Sequence, residues 1–191
     1  MARRFVGPDD VSFTPGDGLM IESEDHDFAV GLGFRFQLLY TLLDPDPSNG
    51  NSEQSLQVRR ARAELAGHAF GAHNKYRLEL AISPSDVALT SQGVGTSPLL
   101  EAYTEFDSLR DLTVRAGQFK VPFDRMRMTS DMARQLVDYS GATSEFSLDR
   151  DIGVELRSKD LFGAGFLRYY AAVMSGKGRN SFEATDMGLM Y

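Results

Sequence analysis

Residues 27–43 read Asp27-Phe28-Ala29-Val30-Gly31-Leu32-Gly33-Phe34-Arg35-Phe36-Gln37-Leu38-Leu39-Tyr40-Thr41-Leu42-Leu43. Every even position from Phe28 to Leu42 is apolar or aromatic, while the odd positions include Ala29, Gly31, Gly33, Arg35, Gln37 and Thr41. A period of two is the signature of a β-strand with unlike faces, and here it runs longer than most globular strands. A helix would gather Phe28, Leu32 and Phe36 on one face and scatter the other apolar residues.

The same period recurs downstream. Residues 55–70 set Arg60, Arg62 and Glu64 against Ala61, Ala63 and Leu65. Residues 75–83 set Lys75, Arg77 and Glu79 against Tyr76, Leu78, Leu80 and Ile82. Further strands are expected over 98–107, 112–121, 149–158 and 165–174, with a shorter one at 18–23. The run 112–121 loses phase from Gln118 to Val121, where a bulge fits. Connections alternate in length. Short turns are expected near Gly71–Asn74, Asp107–Asp111 and Lys159–Gly163, and long polar loops over 44–54, 84–97, 122–148 and 175–184. Met126 to Val137 has weak helical spacing inside the longest loop. This is the pattern of an all-β, antiparallel up-and-down transmembrane barrel. Residues 1–17 read as an N-terminal extension and 18–191 as a partial barrel. The basic Met1-Ala2-Arg3-Arg4 is followed at once by Pro8, Asp9 and Asp10, so no signal-peptide core is expected. The abrupt stop at Tyr191 reads as a piece of a longer protein.

Composition narrows the function. Twenty Lys+Arg against 27 Asp+Glu give a net charge of −7, which argues against a nucleic-acid partner. With no Cys there is no disulfide framework and no cysteine nucleophile. No run of 18 apolar residues marks a membrane helix, and a mean hydropathy of −0.27 is compatible with half-apolar barrel strands. The three histidines, His26, His68 and His73, stand at turns and strand ends without the spacing of a metal site. Gly176-Lys177-Gly178 lacks the frame of a phosphate loop, and no serine sits in a nucleophile elbow. Neither an enzyme nor a cofactor or metal site is expected.

On a barrel wall the charged parity meets water. That places Arg35, Arg60, Arg62, Lys75, Arg77, Arg115, Arg157 and Arg168 on the lumen side, together with Glu64, Glu79, Glu101, Glu105, Asp151 and Glu155. Guanidinium forks match phosphate oxygens, so such a column can pass an anion from one contact to the next. The plainer alternative is that each Arg pairs with a nearby carboxylate and only solvates the wall. Loop 122–148, with Arg125, Arg127 and Arg134, is the candidate constriction.

The sequence resembles the phosphate-selective porin O and P family of Gram-negative outer membranes. The likeness lies in Gly18-Leu19-Met20-Ile21-Glu22-Ser23 with Phe28 to Gln37, Val58 to Gly67, Lys75 to Leu80, Glu101-Ala102-Tyr103, Arg115 to Phe123 and Asp149 to Leu156. The resemblance implies a roughly 16-stranded porin in outer-membrane lipid, usually a homotrimer, passing small anionic or polar solutes such as phosphate or polyphosphate. The chain departs from the pattern in covering about half such a barrel and in carrying Gly33-Phe34-Arg35 for Gly-Gly-Arg. Two other classes remain open on the residues alone: a soluble β-sandwich or barrel binding module, and an outer-membrane barrel enzyme.

Overall fold

Strand alternation carries through to the computed structural model, which describes residues 5–6, 11–14, 18–43, 53–87, 89–90, 93–94, 97–130, 133–134, 138–146, 148–180 and 188–190. The strands are β1 (Phe5–Val6), β2 (Val11–Thr14), β3 (Gly18–Glu22), β4 (Ala29–Leu43), β5 (Glu53–His68), β6 (Asn74–Ala81), β7 (Leu89–Thr90), β8 (Gly93–Val94), β9 (Leu99–Leu109), β10 (Leu112–Lys120), β11 (Arg150–Arg157), β12 (Tyr170–Met174) and β13 (Gly188–Met190). Among the described residues, eleven of them form one sheet in the order β1-β2-β3-β4-β5-β6-β9-β10-β11-β12-β13, and β7 and β8 pair separately in the connection between β6 and β9. Each strand pairs antiparallel with its neighbour in the chain. The architecture is therefore all-β and up-and-down, as part of a barrel wall. β1 and β2, from the segment ahead of residue 18, extend the sheet beyond β3.

The two faces are inverted relative to a water-soluble protein. Phe34, Phe36, Leu38, Tyr40 and Leu42 are all more than half exposed, with Phe34 at 64%, whereas Glu79 and Glu155 are at 1% and 0%. Buried apolar side chains make only two small clusters among the described residues, Phe119–Val121–Ala172–Met174 and Ala81–Val87–Leu100. β4 and β5, at 15 and 16 residues, exceed the roughly 9–11 that a tilted strand needs to cross a bilayer.

Short turns gather at one end. In the β3–β4 turn His26 takes φ 58°, and Ser23 Oγ accepts from Phe28 N at 3.1 Å. In the β5–β6 turn Phe70 and Gly71 take φ 57° and 100°, and Asn74 Nδ2 donates to Phe70 O at 2.9 Å. The β9–β10 turn is Arg110-Asp111 alone. Longer connections leave from the other end. One holds α1 (Pro84–Val87), and the next holds α2 (Arg125–Met128) and α3 (Gly141–Phe146).

Three local expectations need correction. The strand expected over 165–174 begins only at Tyr170, because residues 158–169 close on themselves. Leu161 N donates to Leu167 O at 2.9 Å, and Gly163 and Gly165 take positive φ. The helix expected from Met126 ends at Met128, after Asp124 caps it by accepting from Met126 N at 2.8 Å, and Thr129 turns extended. Residues 131–132 and 135–137 of that stretch lie outside the described residues. At the end of β10 the pairing with β11 continues unshifted to Lys120, and the break in phase falls instead on Gly117 at φ 129°. A Cβ there would sit 2.3 Å from Ala102 O, so only glycine fits.

Candidate functional site: the charged face of the sheet

Register fixes which charges meet. β4, β5 and β6 align Arg35 with Arg62, and Glu64 with Glu79; β9 then aligns Glu101 with Glu79. Three carboxylates thus lie in a row across adjacent strands, about 4.8 Å apart. Like charges directly opposite are unfavourable. The rows on either side answer them. Arg35 reaches Glu64 at 2.8 Å and Glu79 at 3.1 Å; Arg77 reaches Glu64 at 3.1 Å and both Glu79 and Glu101 at 3.5 Å. Arg62 meets Glu79 at 3.3 Å. A second patch repeats the scheme on β9, β10 and β11. Arg115 pairs with Glu105 at 2.8 Å and Glu155 at 3.7 Å, Arg157 pairs with Glu155 at 3.6 Å, and Arg157 also contacts Glu105. The Arg115 guanidinium lies 4.4 Å over the Tyr103 ring, which fixes its plane.

Loops add charge from above. Asp86 of α1 takes the fork of Arg62, with both Nε and Nη2 donating at 2.8 Å. Burial would raise the Asp86 pKa, but these hydrogen bonds and the Arg62 and Arg60 charges outweigh it and hold the carboxyl below its ordinary range. Asp138 of the long loop accepts from Arg59 Nε at 2.7 Å and lies 3.6 Å from Arg60 Nη2. Asp149 gathers Arg150 at 3.1 Å, Arg127 at 3.3 Å and Arg179 at 3.4 Å, so it joins β11 to the two flanking loops. Gln118 Oε1 accepts from Asn180 N at 2.6 Å and ties the last loop to β10.

Between wall and loop lies a cavity of about 260 Å³, lined by Arg35, Arg77, Arg115, Lys120, Arg157 and Glu101, with Met128 and Ser130 coming from the long loop. Five cationic side chains face one carboxylate there. Two guanidiniums of the lining sit close to carboxylates through Nε, Arg77 to Glu101 at 3.5 Å and Arg157 to Glu155 at 3.6 Å, without hydrogen-bond geometry.

The expected site residues divide. Arg35, Arg60, Arg62, Lys75, Arg77, Arg115 and Arg157 share the charged face, and each is paired: Arg60 with Gln37 Oε1 at 2.8 Å and Asp138, Lys75 with Asp107. The alternative of local pairing therefore describes most of the wall. Arg168 is exposed and stands two residues before β12, outside the strands. Arg125 is exposed, whereas Arg127 and Arg134 stack on the Tyr139 ring at 4.5 and 3.9 Å. The histidines do not converge: His26 contacts Glu22 and His73 contacts Asp107.

Sequence reasoning missed Arg59, Lys120, Arg150 and Asp86, and it placed Asp138 in the long loop without its Arg59 and Arg60 partners. Parity sends Arg59 to the apolar side. A bulge at Gln37/Leu38, where Arg60 and Val58 become consecutive partners, brings it to the charged side instead. An arginine facing lipid costs about 2–4 kcal/mol at mid-depth, and that cost was the available signal for the bulge.

The model of the family phosphate-selective porin O and P matches residues 30–185. No curated protein matches the chain.

Proposed function

The chain belongs to the phosphate-selective porin O and P family, and we propose that its charged face lines a water-filled path by which small oxyanions, phosphate or polyphosphate among them, diffuse across an outer membrane. Family membership supports an outer-membrane porin in general, and a channel in preference to an enzyme. The observation that carries the oxyanion reading is the cavity under the long loop. Its lining holds five cations, Arg35, Arg77, Arg115, Lys120 and Arg157, and one carboxylate, Glu101, while Glu64, Glu79, Glu105 and Glu155 pair with the four arginines from outside the lining. The loop 122–148 supplies Met128 and Ser130 to that cavity, in keeping with a constriction. Arg127 and Arg134 serve this reading indirectly, by stacking on Tyr139. The apolar face, with Phe34 and Phe36 more than half exposed, suits outer-membrane lipid better than the interior of a soluble binding module. A homotrimer accords with the family.

Ser130→Asp tests the reading without breaking a wall ion pair. A new carboxylate beside the five cations should lower the anion-to-cation permeability ratio about two- to threefold at 0.1 M salt, from about 0.5 kcal/mol of potential at 8 Å in water. The effect should fade at 1 M, where the Debye length is about 3 Å. Reversal potential in planar bilayers reads it. A ratio unchanged at low salt would show that ions do not pass this cavity.

A further inference from the structure

Asp138 differs from the strand carboxylates of the charged face in coming from a loop with its side chain 47% exposed, and from Asp86 and Asp149 in touching the guanidiniums of two consecutive strand residues. Consecutive strand residues ordinarily point to opposite faces. The β4–β5 bulge removes that constraint, so Arg59 Nε and Arg60 Nη2 both approach the same Oδ1, at 2.7 and 3.6 Å. Arg60 is meanwhile held from the far side by Gln37 Oε1 at 2.8 Å. The pair is thus pre-set for an acidic oxygen.

We infer that Asp138 is an internal competitor for oxyanions at the Arg59–Arg60 pair, and that it sets how tightly the pore holds phosphate. The inference rests on the oxyanion-channel reading and adds to it a specificity-determining residue. Carboxylate and phosphate oxygens use the same guanidinium N–H groups. An incoming phosphate need only displace a half-exposed side chain, which is far easier than displacing Glu79 or Glu155 from the wall. The loop need not leave with it. The next residue, Tyr139, lies under Arg127 and Arg134 at 4.5 and 3.9 Å, so residue 139 keeps its place while the Asp138 side chain swings aside. A pore gains from such a competitor. Without the Asp138 carboxylate the pair would hold the solute more tightly, and conduction requires that a bound ion also leave.

Inhibition of chloride current by inorganic phosphate, in planar bilayers holding the full chain, measures the affinity. Asp138→Asn should lower the half-inhibiting phosphate concentration about fivefold, which is about 1 kcal/mol at 1.4 kcal/mol per tenfold. Asp138→Glu should stay near wild type. Arg59→Gln should raise the concentration severalfold, and this variant decides the matter if Asp138→Asn gives no folded pores. Unchanged phosphate inhibition in folded Asp138→Asn or folded Arg59→Gln, with anion-selective chloride current intact, overturns the role of Asp138 and leaves the channel reading standing. A cation-selective wild-type pore overturns the channel reading itself.

Discussion

Glu79→Gln should weaken the protein and sharpen its anion preference together. Glu79 is 1% exposed and lies at 3.1, 3.3 and 3.5 Å from Arg35, Arg62 and Arg77. Removing one partner of a buried ion pair costs about 3–5 kcal/mol. The amide keeps one acceptor oxygen, which favours the low end of that range. Relief of the like-charge row with Glu64 and Glu101 returns about 0.2–1 kcal/mol for each neighbour. The net loss should be about 2 kcal/mol, read as a lowered urea midpoint of the refolded protein in lipid vesicles. The same substitution leaves Arg35, Arg62 and Arg77 facing Glu64, Asp86 and Glu101, three of their four carboxylate partners. Loss of one negative charge at about 8 Å shifts the potential by about 0.5 kcal/mol in water, roughly halved by screening at 0.1 M and opposite in sign for the two ions, which gives a two- to threefold rise in anion-to-cation permeability. The rise should vanish near 1 M salt. A falling urea midpoint with an unchanged permeability ratio at 0.1 M would refute the claim that this network borders the conducting path. An unchanged midpoint would refute its role in holding the sheet.

Two further outcomes follow from the faces and the loops. Phe34→Arg, at a residue 64% exposed on the apolar face, should cost about 2–4 kcal/mol of folding into vesicles, and Phe28→Arg beside the Ser23–Asp27 turn clearly less. Gel mobility of the folded form reads this, and equal yields for both would argue against lipid contact at Phe34. The Arg62–Asp86 tether should be acid-labile. The Asp86 pKa is lower folded than unfolded, so its contribution is complete above the unfolded value of about 3.9 and is lost as pH falls through the folded one. Protection of the backbone amides at residues 83–87, taken relative to the intrinsic exchange rate at each pH, should therefore fall from pH 5 to pH 2 in the wild type, and in Asp86→Asn it should be low and nearly flat. A flat wild-type profile would show that the tether does not hold α1.

Parity made the wall legible. Once Phe28 to Leu42 are assigned to one face, Arg35, Arg62, Glu64, Arg77 and Glu79 must share the other, and they do. The partners of those charges were not legible to the same degree. Strand order along the chain put Glu64 beside Glu79, but which Arg reaches which carboxylate depends on diagonal geometry that parity does not contain. Backbone pairing hid more. The Arg59–Arg60 pair exists because one strand gains a residue at the Gln37/Leu38 shift, and its mark in the sequence is an arginine at a position that parity sends to lipid. Loop contacts were least legible of all. Arg59 and Asp138 are separated by 79 positions, and their meeting depends on how a long connection folds back.

The misplaced site residues share one physical cause. Arg168 was read as wall because Leu167, Tyr169, Ala171 and Val173 keep the period, yet the chain there turns on Gly163 and Gly165 and enters the sheet only at Tyr170. Alternation is necessary for a strand but does not by itself supply a neighbour to pair with. Val154 pairs with Val173 and Leu156 with Ala171, and the register ends at Arg157 opposite Tyr170. Beyond that point β11 offers no further partner, since Ser158 N already donates to Tyr169 O at 3.2 Å in closing the turn. The extent of a strand is thus decided by the length of its partner. Arg157 lies in the paired part of β11, with Glu105 and Glu155 to hold it, and Arg168 lies outside the strands, ahead of β12.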